Sequence, residues 1–201
     1  MNNQALINTI WPNKRSLASK IIRNLILVFL GSIILIISSK IKVGWPIPMT
    51  MQTFVVFIMS LTYGWKLASS TFFLYLLQGL KWEVFAWGGG INYYITSPTV
   101  GFLFGMFMAT FVIGYLAEKN FNIIENKALP IINIIRNIII IFLGTCVIFL
   151  FGLTYMSFFM GWEKAILFGL KPFILSESIK ILLASVLMPY VWKIVKIIKN
   201  K

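Results

Sequence analysis

The chain has 201 residues, of which 59% are hydrophobic, with a mean hydropathy of +0.90 and a formal net charge of +13. These values exclude an ordinary soluble domain and predict an integral membrane protein. Because histidine and aspartate are absent and Cys146 is the only cysteine, the sequence also excludes a disulfide framework, a zinc site of His and Cys ligands and a histidine-based catalytic triad.

The apolar runs predict helices and not the strands of a barrel. Backbone groups in lipid must be hydrogen-bonded within the protein, so a spanning chain is either helical or a closed barrel. These runs lack the alternating pattern of barrel strands. Residues 1–20 lack the apolar core and cleavage site of a signal peptide, so we expect the first span to begin near Ile21. The predicted fold is all-α, a single transmembrane domain over residues 1–201.

Six segments approach the length of about 20 mainly apolar residues that a spanning helix needs. The second and third are short, and the pair Gly64-Trp65 separates them, which predicts a tight helical hairpin. A break near Gly161 separates the last two. The predicted spans cover residues 21–39, 49–63, 66–80, 99–117, 135–156 and 173–192.

Lysine and arginine are distributed unevenly between the two sides of this predicted bundle. One side receives Lys14, Arg15, Lys20, Arg23, Lys66, Lys119, Lys127, Arg136, Lys193, Lys196, Lys199 and Lys201. The other receives Lys40, Lys42, Lys81, Lys164 and Lys171. The positive-inside rule therefore predicts that both termini are cytoplasmic, in a multi-pass protein of the cell membrane. Because the basic residues flank apolar spans, we expect lipid and not nucleic acid as the partner of these charges.

The segment KVGWPIPMTMQTF lies on the predicted outer side, just before the second span. Pro46 and Pro48 predict an extended approach to the helix. Thr50 and Gln52 follow, and a buried Gln52 must find a partner on another helix or on a ligand. We retain both interpretations of Gln52.

A second outward segment, VFAWGGGINYYITSPTVGF, has the composition of a loop built around a ligand. Its glycines permit positive backbone dihedral angles and close approach, while its aromatic residues offer flat apolar faces. An interfacial aromatic belt is the alternative interpretation. The candidate binding residues in this segment are Phe85, Trp87, Gly88, Gly89, Gly90, Asn92, Tyr93 and Thr99.

The sixth span, within FILSESIKILLAS, has Glu177 and Lys180 three residues apart on one helical face. A charge at the centre of a bilayer costs about 2.5–3.5 kcal/mol on insertion scales, so such residues mark functional sites by default. We expect the pair to hydrogen-bond a ligand that has both donors and acceptors. The alternative is a mutually neutralising pair at a helix end, with Lys180 reaching toward the interface.

WPIPMTMQTF, VFAWGGGINYYITSPTVGF and FILSESIK resemble, in order, the signature blocks of the BioY family, the biotin-binding S components of energy-coupling factor (ECF) transporters. The first block matches a P-x-P-x-T-x-Q-T pattern. The last resembles P-G-D-x-x-K, with Glu177 in place of aspartate. The chain departs from the family glycines at Trp87, Ile91, Ser97 and Val100, and from a tyrosine at Phe102.

The resemblance implies a membrane subunit that binds biotin as a transported substrate, with no cofactor and no enzymatic activity. It implies that an ECF membrane scaffold and cytoplasmic ATPase subunits supply the energy, and the chain itself has no Walker A sequence. Small residues on the first span are the candidates for docking to that scaffold. They are Gly31, Ser32, Ser38 and Ser39.

Three other functions remain open at this point. An S component for another vitamin would keep the architecture and change the pocket. A structural or assembly protein without a ligand would use Glu177 and Lys180 only internally. A membrane enzyme is disfavoured, because it would have to work with five scattered glutamates and no histidine or aspartate.

Overall fold

A computed structural model describes residues 6–10, 17–44, 47–124 and 130–199 of the chain. Within these residues the chain forms eight helices and one two-stranded hairpin. In chain order they are α1 (Leu6–Ile10), α2 (Leu17–Lys40), β1 (Lys42–Val43), β2 (Met49–Thr50), α3 (Gln52–Gly79), α4 (Ile91–Thr96), α5 (Val100–Ile124), α6 (Pro130–Met160), α7 (Trp162–Gly169) and α8 (Lys171–Lys199). Several residues used in the predictions lie outside the described ranges: Lys14, Arg15, Pro46, Lys127 and Lys201.

Four helices of the described chain are long and apolar enough to cross a membrane. Their spans are Leu17–Lys40, Val100–Lys119, Ile131–Met160 and Lys171–Val191. They correspond, to within one residue where a predicted span extends past them, to the first, fourth, fifth and sixth predicted spans. In Leu17–Lys40, Ile131–Met160 and Lys171–Val191, only a third of the residues in the most apolar stretch are buried. Their exposed apolar faces are suited to lipid, because lipid tails take the place of an apolar neighbour.

Helix α3 covers all but the last residue of the third predicted span and all but the first three residues of the second. Gly64 interrupts it with φ 72° and ψ 172°, so two helical segments meet at a kink. Gly114 of α5 lies against this kink so closely that a Cβ atom on it would overlap the backbone at Trp65. The predicted break at Gly64-Trp65 is therefore confirmed. Whether each half of α3 crosses the bilayer is a prediction, and so are the count of six spans and the cytoplasmic termini.

The hairpin changes the predicted start of the second span. Lys42 pairs with Thr50, and Val43 pairs with Met49. Helix α3 consequently begins at Gln52 and not at Met49, since Met49 and Thr50 use their extended backbone to pair with β1. This places Gln52 at the first turn of α3, directly after the hairpin.

The small residues of α2 face the interior of the protein. Ser32 and Ser39 are fully buried and Ser38 is almost so, and a Cβ atom on Gly31 would meet Thr71 of α3. The hydroxyl of Ser39 donates to the carbonyl oxygen of Val84 at 2.7 Å. The prediction that these residues form an external docking surface is therefore wrong, because they serve the packing of α2 onto α3 and the following loop.

Candidate ligand-binding site

Glu177 and Lys180 form a buried ion pair on α8. Lys180 Nζ lies 2.6 Å from Glu177 Oε1, and the two residues are only 4% and 6% exposed. The pairing follows from sequence, because side chains three residues apart in a helix lie on one face. Each charge is stabilised by the other in an interior where neither could be left alone.

The start of α3 completes this ion pair. Lys180 Nζ donates to the backbone oxygen of Thr50 at 2.7 Å and to Thr53 Oγ1 at 3.0 Å. Thr53 Oγ1 in turn donates to Glu177 Oε1 at 2.9 Å. An ammonium group has three N–H donors, and all three of Lys180 are directed at protein acceptors. Lys180 therefore holds the carboxylate and the hairpin in place.

Two polar atoms near the pair have no hydrogen-bond partner among the described residues. They are Glu177 Oε2, an acceptor, and Gln52 Nε2, a donor. Both residues are buried, and both line the same cavity. A buried polar atom left unpaired costs about 1–3 kcal/mol. The site is thus arranged to receive a molecule that offers both a donor and an acceptor.

The cavity lies between the hairpin, the glycine-containing segment and the helices α3, α5, α6 and α8. The space enclosed within it is about 60 Å³, and the figure rises to about 630 Å³ when the open mouth is included. The lining residues are Ile47, Pro48, Thr50, Gln52, Thr53, Phe85, Ala86, Tyr93, Thr99, Phe102, Leu103, Met106, Ile148, Phe149, Phe173 and Glu177. Polar groups are few and lie mainly at the α3 and α8 side.

Phe85 is the centre of an aromatic cluster on one wall. Its ring lies 5.3 Å from that of Tyr75, 5.3 Å from that of Tyr93 and 5.5 Å from that of Tyr94, measured between centroids. Tyr94 donates to the backbone oxygen of Leu76 at 2.6 Å. Burial, with a smaller contribution from neighbouring Tyr93, raises the pKa of Tyr94 to about 12, so this hydroxyl remains a donor at neutral pH. These contacts fix α4 and the preceding loop on α3.

Three phenylalanines form a second apolar wall. Phe102 and Phe173 stack at 6.3 Å with an interplanar angle of 16°, and both contact Phe149 edge to face. None of the three was predicted to be a site residue. Phe173 could have been found, because it lies one helical turn before Glu177. Phe149 carries no comparable signal, since the stretch of α6 immediately around it is apolar.

The glycine segment is built by close approach and by two residues with positive φ, Gly88 and Gly90. Gly89 lies so near the backbone of Trp82 and Glu83 that a Cβ atom would overlap it. Gly90 has φ 84° and directly precedes α4, a conformation that favours glycine. These glycines shape the loop that carries Phe85.

The structure brings together only some of the predicted site residues. Those lining the cavity are Thr50, Gln52, Phe85, Tyr93, Thr99 and Glu177. Lys180 does not line the cavity but contacts Glu177, which does. Outside the cavity lining are Trp87, Gly88, Gly89, Gly90 and Asn92. Trp87 is 49% exposed and Asn92 is also exposed, because the first turn of α4 turns Tyr93, and not Asn92, toward the cavity.

A family model described as "BioY family" matches residues 8–197 of the chain. The chain belongs to the BioY family. It is 31% identical to the biotin transporter BioY of Thermotoga maritima over 144 residues, which is 71% of this chain and 79% of that protein. It is 28% identical to the probable biotin transporter BioY of Rickettsia prowazekii over 176 residues, 85% and 84% of the two chains.

The fold of this BioY chain is similar to that of a solved structure, the 2.1 Å crystal structure of the S-component for biotin from an ECF-type ABC transporter. The TM-score is 0.73 at 21% identity, covering 90% of this chain and 95% of the other. With its four membrane-length helices, this BioY chain is a multi-pass membrane protein.

Breaking the buried pair on one side should destabilise the protein more than removing it altogether. Lys180→Met leaves Glu177 as an uncompensated buried charge, so we expect the free energy of unfolding to fall by about 3–5 kcal/mol. The double variant Glu177→Leu/Lys180→Met should recover most of this loss. Thermal unfolding in detergent without ligand measures both, with Lys171→Met, an exposed lysine on the same helix, as control. A double variant less stable than Lys180→Met would contradict the assigned pairing.

Proposed function

We propose that this chain is the substrate-binding membrane subunit of a biotin importer and forms a single transmembrane binding domain. The observation that carries the proposal is the pairing of an unsatisfied acceptor, Glu177 Oε2, with an unsatisfied donor, Gln52 Nε2, in one cavity. Relatives named biotin transporters support the same ligand. The family is one of transporter S components, and the chain is not an enzyme.

The chemistry of biotin complements this cavity. Its ureido head has two N–H donors and one carbonyl acceptor, and its fused thioether ring is apolar. We infer that a ureido N–H donates to Glu177 Oε2 and that the ureido oxygen accepts from Gln52 Nε2, since each atom then gains a partner. The ring would pack between Phe85 and the cluster of Phe102, Phe149 and Phe173. A purely structural role for Glu177 and Lys180 is disfavoured, because it leaves both unpaired atoms unexplained.

Tyr93, Thr99 and Thr50 also line the cavity and would bind the remaining polar atoms of the ligand. Tyr93 and Thr99 share a hydrogen bond of 2.9 Å between their hydroxyl oxygens. We retain Trp87, Gly88, Gly89, Gly90 and Asn92 as candidate binding residues that would act from the mouth of the pocket. Lys180 would act through Glu177.

The energy for uptake must come from other subunits. We propose that an ECF membrane scaffold and cytoplasmic ATPases drive the import, as the resemblance of this chain to an S-component supports. In this arrangement six spans place both termini in the cytoplasm and open the cavity to the outside. The excess of lysine and arginine on the loops of one side supports that orientation.

Replacing Glu177 by glutamine should weaken biotin binding by about 10- to 100-fold, which corresponds to one hydrogen bond to a charged group. The amide oxygen would take the place of Oε1, which accepts from Lys180 and Thr53. The amide N–H₂ would then face the ureido N–H as a second donor. Calorimetric titration of the purified protein in detergent measures the change.

The matched control is Glu163→Gln, the same substitution at an exposed site on α7, and it should bind biotin as the unaltered protein does. Competition with thiamine, riboflavin and lipoate tests the ligand. Absence of biotin binding by the unaltered protein, or displacement of biotin by one of these competitors at equal concentration, would contradict the assignment.

The proposed orientation predicts which positions react from outside an intact cell. In a Cys146→Ala background, a cysteine replacing the exposed Trp87 should react with a membrane-impermeant maleimide. A cysteine replacing the exposed Lys119 should react only after the cells are permeabilised. The reverse pattern would contradict cytoplasmic termini.

A further inference from the structure

Side chains from outside the glycine-containing loop hold four consecutive backbone oxygens of that loop. Lys40 Nζ donates to Glu83 O at 2.6 Å and to Phe85 O at 2.7 Å. Ser39 Oγ and the Tyr75 hydroxyl donate to Val84 O at 2.7 and 3.3 Å. Lys42 Nζ donates to Ala86 O at 2.6 Å. The carbonyls that regular pairing would satisfy in a sheet are satisfied here by side chains.

Lys42 makes a second contact with the same loop. Its ammonium lies 3.7 Å from the centroid of the Trp87 ring, within the distance at which a cation is attracted to an aromatic face. This contact holds the half-exposed Trp87 ring against Lys42, outside the cavity. Lys40 and Lys42 therefore bind the backbone of residues 83–86 and the side chain that follows it.

The hairpin connects these lysines to the buried ion pair. Lys42 pairs with Thr50 across the two strands, and the backbone oxygen of Thr50 accepts from Lys180. The backbone of the hairpin therefore links the hydrogen bonds of Glu177 and Lys180 to the hydrogen bond that Lys42 makes with the loop at Ala86. These contacts fix the position of the cavity wall that carries Phe85 relative to the wall that carries Glu177.

We propose that Lys40 and Lys42 are positioning residues for the ligand. They hold the loop so that Phe85 and Ala86 form the cavity wall, and this sets how long a bound molecule stays. The statement that the lysines hold the loop rests on the loop geometry alone. The statement that they set the residence time of the ligand also rests on the proposed function, because its ligand is biotin. Neither lysine lines the cavity, so the effect passes through the backbone of the loop.

The test combines hydrogen exchange and ligand dissociation on the full chain in detergent. Without ligand, the amides of Phe85 and Gly90 are protected by bonds to Gly88 O and Gly79 O. In Lys40→Met and Lys42→Met we expect exchange of the 83–90 peptide to rise about tenfold, because the loop opens more often. Biotin should dissociate about 3- to 10-fold faster, with a smaller change in its association rate.

The controls separate this role from charge and from general stability. Lys164→Met and Lys171→Met remove one exposed lysine each from α7 and α8 and should leave both measurements unchanged. Lys40→Arg and Lys42→Arg keep the charge and the donors and should restore slow exchange and slow dissociation.

Each outcome decides the proposal. Suppose that exchange at 83–90 is faster in the lysine variants but that the unaltered protein does not bind biotin. This result would support the positioning of the loop and overturn the ligand assignment. Exchange equal to that of the Lys164→Met and Lys171→Met controls would overturn the positioning itself. Faster exchange with unchanged biotin dissociation would overturn the claim that the two lysines set the residence time of the ligand.

Discussion

The buried ion pair of Glu177 and Lys180 is the interaction on which the site depends. In a chain this apolar, a carboxylate can stay buried only if a cation and further donors surround it. Lys180 and Thr53 both donate to one oxygen of Glu177. The other oxygen stays unpaired and buried. The pair thus fixes the carboxylate in one orientation and leaves one acceptor for a ligand.

This arrangement accounts for the hairpin and the start of α3. Lys180 reaches the backbone oxygen of Thr50 only because Thr50 lies in the short strand β2, just before α3 begins. Gln52 follows at the first turn of α3, so its unpaired amide nitrogen belongs to the same cavity. A local extended segment, favoured by two prolines in the sequence, therefore delivers both a partner for the lysine and a donor for the ligand.

Much of the fold was predictable from the sequence, because long apolar runs and glycine breaks act locally. The kink at Gly64 and the shared face of Glu177 and Lys180 follow from spacing alone. The exact start of α3 did not follow, since it depends on pairing with β1. The buried faces of Gly31 and Ser39 were also missed, because a small residue has the same sequence signal whether it packs inside a bundle or against another subunit.

For the site, the sequence indicated the segments better than the individual residues. Thr50, Gln52, Phe85 and Glu177 line the cavity as their positions suggested. Asn92 and Tyr93 are neighbours, yet only Tyr93 faces the cavity, and this depends on the rotation of α4 that Tyr94 fixes through its bond to α3. The Phe149 wall arises from tertiary packing between α5, α6 and α8, for which no local pattern exists.

The most direct test of the role given to Glu177 is a crystal structure of the protein with biotin bound. We expect a ureido nitrogen to lie about 2.7–3.1 Å from Glu177 Oε2, with Lys180 still on Oε1 and the fused ring between Phe85 and Phe173. A ureido group bound elsewhere, with Glu177 Oε2 still unpaired or facing lipid, would contradict it.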